Sequence, residues 1–92
     1  MTEAAIHWKR AEAGMAGGRA EEALADFAAS AEIYELEGAR PNLARVLRGS
    51  GAALRAVGRR EDGDALLRRS LDVMEALGLA READEVRSEL AA

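Results

Sequence analysis

Residues 43–78, LARVLRGSGAALRAVGRREDGDALLRRSLDVMEALG, decide the fold of this chain. Apolar residues recur at spacings of three and four on both sides of Gly58, a pattern typical of two amphipathic helices. The first stripe consists of Leu43, Leu47, Leu54 and Val57, and the second of Leu67, Leu71, Met74 and Leu77. The turn around Gly58 is so short that the two helices must fold back as an antiparallel pair.

Two small residues, Ser50 and Gly51, interrupt the first stripe in the middle of its helix. A glycine inside a helix costs about 1 kcal/mol relative to alanine. We therefore expect Gly51 to lie where a neighbouring helix approaches closely.

Composition places the chain among small helical domains. Its 92 residues are enough for one domain, taken as residues 1–92. With 49% hydrophobic and 33% charged residues, the chain is neither disordered nor membrane-spanning, and no apolar run approaches the ~20 residues of a spanning helix. Sustained alternation of apolar and polar residues is missing, so the predicted class is all-α.

The charged and reactive residues exclude several classes of function. A net charge of −4 argues against nucleic acid and anionic membranes as partners. The chain has no cysteine and a single histidine, His7, which we expect to be solvated or partly packed. No glycine spacing fits a phosphate loop. We expect a non-catalytic protein without cofactor or metal and, since MTEAAIHWKR has no apolar leader segment, a cytoplasmic one.

The chain repeats itself at a distance of 40 residues. Gly18 aligns with Gly58, and residues 30–38 align with residues 70–78. In the first predicted helix, 3–16, the large apolar residues fit a shift of 39 instead, with the double glycine at 17–18 absorbing the extra residue. The second helix is predicted over 20–37, and a last amphipathic helix follows Gly78. Pro41 suits the first turn of the third helix, which continues through Leu43. A fixed period of this length indicates a short helical solenoid.

The repeat resembles the tetratricopeptide repeat in its longer form of about 40 residues, which occurs in kinesin light chains and bacterial regulators. The residues that carry the resemblance are Trp8, Ala11, Met15, Gly18, Ala23 and Phe27 in repeat one, and Leu47, Gly51, Leu54, Gly58, Leu67 and Leu71 in repeat two. The chain departs from the pattern at Glu12, where the family has a small residue, and at Gly63, where it has alanine. The resemblance implies a right-handed solenoid of two antiparallel helix pairs, with repeat one at 3–38, repeat two at 39–78 and a closing helix at 79–91.

A row of arginines on the third helix is the main candidate for a binding site. Arg45, Arg48, Arg55 and Arg59 are spaced by threes, fours and sevens, so they share one helix face. The resemblance implies a concave groove, lined here by Lys9, Arg45, Arg48, Ala52 and Arg55. Such a groove would bind an acidic segment or a C-terminal carboxylate through arginine forks. The same arginines could instead form a solvated face, paired with Glu85, Glu89 or the acids of helix two.

Self-association is the alternative function. Solenoids usually need about three or more repeats, so two repeats could leave apolar end faces that pair two copies of the chain. The residues expected on those faces are Trp8, Met15, Leu79, Val86 and Leu90. The sequence thus favours a peptide-binding interaction module and leaves a homodimerising structural unit open.

Overall fold

A computed structural model describes residues 2–92 as five α-helices joined by tight turns. The helices are α1 Glu3–Ala16, α2 Ala20–Glu37, α3 Arg40–Ala56, α4 Arg60–Leu77 and α5 Ala80–Ala91. Residues 2–92 contain no strand, so the all-α class is confirmed. None of the five helices is long and apolar enough to cross a lipid bilayer.

The helices begin and end on local signals in the sequence. The Thr2 side chain caps α1 by accepting a hydrogen bond of 3.2 Å from the Ala5 backbone amide. Gly38 and Gly78 end α2 and α4 with φ of 69° and 74°, a left-handed conformation that favours glycine. The third helix starts at Arg40 and has Pro41 in its first turn, as predicted.

Helix α3 is the centre of the packing. It packs against α4 in one pair and against α2 of the other pair, whereas α1 packs on α2 and α5 packs on α4. Buried residues of α3 accordingly enter two cores, Val46 the first and Ala44 the second. The first core also contains Phe27 and Tyr34, and the second contains Leu67, Met74, Ala83 and Val86. The structure is therefore two packed helix pairs with a fifth helix against the second pair.

The repeat runs at 40 residues through the whole structure, including α1. The amide of Arg19 bonds to the carbonyl oxygen of Gly14 at 2.7 Å, and that of Arg59 bonds to Leu54 at 2.9 Å. The predicted shift of 39 in the first helix is wrong. That alignment matched large apolar residues of the two helices. In the structure, α1 buries the small residues Ala11 and Gly14, 40 positions before the buried Gly51 and Leu54 of α3.

Two glycines face each other where α3 crosses α4. A Cβ atom on Gly51 would lie 2.8 Å from the carbonyl oxygen of Gly63, and one on Gly63 would lie 2.6 Å from that of Gly51. The close approach expected at Gly51 is confirmed, and the adjacent α3 backbone leaves no room for a Cβ atom at Gly63. Ala11 and Ala23 hold the same positions in the first pair, so its small residue is Ala11, and Glu12 is not the departure that the sequence suggested.

Candidate functional site

Three helices that are first in their repeats, α1, α3 and α5, enclose a groove on one side of the molecule. One cavity of about 400 Å³ is lined by Trp8, Glu12, Phe27, Arg45, Arg48, Gly49, Ala52, Glu82 and Glu89. An adjoining cavity of about 310 Å³ shares four of these residues and adds Met15. We call this combined surface the groove. Towards α1 its lining combines the apolar Trp8 and Met15 with the carboxylate of Glu12, and towards α5 it is charged.

The floor of the groove is the ring of Phe27, which lies directly beneath Gly49. Phe27 is 2% exposed, and a Cβ atom on Gly49 would come within 2.5 Å of its Cε1 atom. Glycine at this position thus leaves space for the aromatic ring to reach the groove. Sequence reasoning missed Gly49 as a site residue, although a second mid-helix glycine was a visible signal.

Trp8 forms a wall of the groove and also packs on the core. Its ring meets that of Tyr34 edge to face, with centroids 6.1 Å apart and planes at 86°. Trp8 and Met15 are both half-buried. These two residues, predicted for self-association, therefore lie at the groove and not on a separate end face.

Arg45 is the first arginine of the row and binds Glu82 of α5 through two hydrogen bonds. Its Nε and Nη2 atoms donate to the two carboxylate oxygens at 2.9 Å and 2.8 Å. This fork-to-fork contact lowers the pKa of the Glu82 carboxyl, because the hydrogen bonds favour its ionised form. The pKa of Arg45 is raised for the same reason.

Arg48 is shared between two carboxylates of α5. Its Nη1 atom lies 2.9 Å from an oxygen of Glu85, and its Nε atom donates to Glu89. Burial opposes the charge of Arg48, but the hydrogen bonds to Glu89 and Glu85 outweigh it, so the pKa of this arginine is raised.

Arg55 lies deeper than the other two arginines. Its Nε atom is 3.0 Å from Oδ1 of Asp64 in α4, and both side chains are 17% exposed. Although this contact is close enough for an ion pair, Asp64 Oδ1 has no partner with hydrogen-bond geometry in residues 2–92, nor has the Arg55 Nη2 atom. The Nη1 atom donates to the carbonyl oxygen of Glu89. Arg55 therefore connects α3, α4 and α5.

Of the two remaining predicted groove residues, Ala52 and Lys9, only one lines the groove. Ala52 lines the groove at its centre, whereas Lys9 is exposed on α1 and is not among the residues lining the two cavities. The structure thus brings Arg45, Arg48 and Ala52 together. The positive charges of the two arginines are balanced by carboxylates of α5. The sequence left this pairing open as the alternative to a binding surface.

The predicted self-association surface on α5 does not form as expected. Val86 is fully buried in the second core, and Leu79 and Leu90 pack against that core. On α5, Asp84 and Arg87 take the places that Ala44 and Leu47 hold on α3, and Arg87 pairs with Asp84 and Glu75. The face left uncovered on α5 is therefore charged.

A similar polar substitution occurs on the first pair. His7 and Asp26 stand 40 residues before Leu47 and Leu66, which are both in contact with the first core. His7 Nδ1 lies 2.7 Å from Oδ1 of Asp26, and Arg10 donates to the same oxygen at 3.1 Å. The hydrogen bond from His7 lowers the pKa of Asp26. Within residues 2–92, no group of three or more His, Asp or Glu side chains is arranged to hold a metal ion.

Comparison with known proteins identified no relative of this chain. The chain matches no protein-family model, and comparisons with curated proteins and with solved structures found no match to it. The resemblance to tetratricopeptide repeats rests on the sequence pattern alone.

Proposed function

We propose that this chain is a non-catalytic protein–protein interaction module of the tetratricopeptide type, which binds a peptide segment of another protein in the groove. The observation that carries the proposal is the Phe27 ring beneath Gly49, beside the guanidinium groups of Arg45 and Arg48. An aromatic floor next to arginine forks suits a short segment with one apolar side chain and a nearby carboxylate.

The chemistry of the groove favours an acidic or C-terminal peptide segment. Arginine presents a planar fork that matches a carboxylate, so a side-chain or terminal carboxylate can be bound through two parallel hydrogen bonds. Arg45 makes this contact with Glu82. The apolar part of the segment would contact Trp8, Met15 and Ala52, where burial of apolar area contributes to affinity.

Substitution of Ala52 tests whether the groove is the binding surface. Ala52 lines both cavities of the groove and is only half-buried, so Ala52→Trp would fill the groove without entering the core. Peptides would be selected from a phage-displayed random library on the wild-type chain and measured by fluorescence anisotropy. We expect the selected peptides to lose at least about tenfold in affinity for Ala52→Trp, equivalent to about 1.4 kcal/mol.

A matched control makes the same alanine-to-tryptophan substitution at a position outside the groove. Ala65 is an exposed alanine of α4 that does not line the groove, and Ala65→Trp should bind the selected peptides as the wild type does. Equal binding by all three proteins would place the peptide site elsewhere and refute the proposal.

A further inference from the structure

Two rows of opposite charge face each other across the groove. Glu82, Glu85 and Glu89 are spaced by three and four on α5, and they contact Arg45 and Arg48 of α3. The backbone of α5 packs on α4 rather than on α3. Long charged side chains therefore make the contact that spans the groove between α3 and α5.

We propose that the glutamate row of α5 occupies the binding positions of Arg45 and Arg48 in the unbound chain. An acidic helical segment of a partner then binds by replacing those carboxylates. This inference rests on the proposed function and deepens it. It names the partner chemistry as carboxylates at positions i, i+3 and i+7 of a helix, because that is the spacing which α5 itself presents to α3. It also makes α5 an autoinhibitory element.

The exposure of the paired side chains supports exchange. Glu85 is 46% exposed, and Glu82 and Glu89 are 28% and 29% exposed, so water reaches each carboxylate. Ion pairs that remain open to water contribute less to stability than buried ones, since solvent compensates part of each charge. Replacing one carboxylate by another at the same guanidinium conserves the contact. The glutamates can therefore leave without unfolding α5, which Ala83 and Val86 hold on the second core.

Arg55 does not take part in this exchange. Its partner Asp64 is on α4 and largely buried, and its contact with α5 is to a backbone carbonyl oxygen rather than to a glutamate side chain. The exchangeable cations are thus Arg45 and Arg48. This limits the exchangeable cations to the N-terminal half of α3.

The test removes the internal carboxylates and keeps the helix. The variant Glu82→Gln/Glu85→Gln/Glu89→Gln would be titrated against a fluorescein-labelled, alanine-based peptide with three glutamates at the spacing of 82, 85 and 89. We expect the variant to bind this probe at least tenfold more tightly than the wild-type chain. The single variant Glu85→Gln, which changes only the most exposed glutamate, should show an intermediate gain and guards against misfolding of the triple variant.

A charge-matched control separates the glutamate row from net charge. Glu21, Glu32 and Glu37 are exposed residues of α2 and do not line the groove, so Glu21→Gln/Glu32→Gln/Glu37→Gln changes the net charge equally. We expect this control to bind the probe as the wild type does. A gain equal to that of the α5 variant would reduce the effect to bulk electrostatics and overturn the inference.

Adding Arg45→Gln and Arg48→Gln to the α5 triple variant should return the affinity for the probe to the wild-type level. Affinity that survives their loss would also overturn the inference. The proposed function fails separately, if library-selected peptides bind Ala52→Trp as well as they bind the wild type. If those peptides require the groove while removal of the three glutamates changes nothing, the interaction module stands and the autoinhibitory role of α5 is refuted.

Discussion

The hydroxyl of Ser70 donates a hydrogen bond of 2.6 Å to the backbone carbonyl oxygen of Ala44, and the contact is completely closed to solvent. Ser30 makes the same contact with Ala4 at 2.9 Å in the first pair. Each serine thus fastens the second helix of its pair to the N-terminal part of the first helix. The two contacts are 40 residues apart along the chain, as the repeat requires.

Replacing Ser70 by alanine should destabilise the chain by about 0.5–1.5 kcal/mol, because a buried hydrogen bond is lost while the volume hardly changes. Urea denaturation followed by circular dichroism measures the effect. Ser30→Ala should cost about as much, and the double variant should cost the sum, since the serines belong to different helix pairs. Unchanged stability in both single variants would show that these hydroxyls contribute nothing to the helix contacts.

Gly63→Ala should destabilise the chain although alanine is the better helix former. The added methyl group would lie 2.6 Å from the Gly51 carbonyl oxygen and 2.8 Å from Arg55 Cγ. We expect overpacking to cost about 1–3 kcal/mol, towards the upper end because the closest atom is a backbone oxygen, and so to outweigh the gain of about 1 kcal/mol in helix propensity. Thermal unfolding distinguishes the two effects, and a raised melting temperature would contradict the close crossing of α3 and α4.

Arg55→Gln should cost more than the loss of an ordinary surface ion pair. The substitution removes the closer of two cations from the largely buried Asp64 and leaves only Arg60, whose Nε atom is 3.8 Å from the carboxylate, which costs about 1–3 kcal/mol. The control is Arg69→Gln, which breaks an exposed pair with Glu35 and should cost no more than about 1 kcal/mol. Chemical denaturation of both variants compares them. Equal losses would place Arg55 among the solvated arginines.

Glu82 should make folding stability depend on pH in the acidic range. Its folded pKa lies below the ordinary value of 4.5, because Arg45 donates two hydrogen bonds to the carboxylate. The unfolded chain therefore binds more protons in this window, so the contribution of Glu82 is present above pH 4.5 and is lost as the pH falls through the folded pKa.

The variant Glu82→Gln isolates this dependence. Its free energy of unfolding should fall less steeply between about pH 5 and pH 3 than that of the wild-type chain, in the region where an unperturbed glutamate titrates. Urea denaturation at a series of pH values measures both slopes. Parallel curves would show that Arg45 does not favour the ionised form of Glu82.

Helical periodicity, glycine stops and the 40-residue repeat predicted the helices closely, because each of these signals is local in the sequence. The bounds of α1 and α2 agree with prediction. The register of α1 failed, because pattern matching gives weight to large residues such as Trp8 and Met15. The first pair instead buries Ala11 and Gly14, and only the packed structure shows that small residues hold those places.

The candidate site was predictable in part. The arginine row is visible from its spacing, but its pairing depends on how α5 lies beside α3. Glu82 and Glu89 are 37 and 41 residues from their arginine partners, too far for any local pattern to relate them. The role of Gly49 likewise depends on Phe27, which is on another helix. Such contacts between elements require the packing as well as the pattern.

The uniform 40-residue register has a consequence for chain length. α5 begins at Ala80, 40 positions after α3 begins at Arg40, and Ala83 and Val86 take the places of Leu43 and Val46. The junction between α4 and α5 is thus of the same kind as the junction between α2 and α3. A tandem duplication of residues 40–79 should therefore continue the array without a new type of interface. Each duplication would lengthen the groove by one unit and move the acidic helix outward to the new terminus.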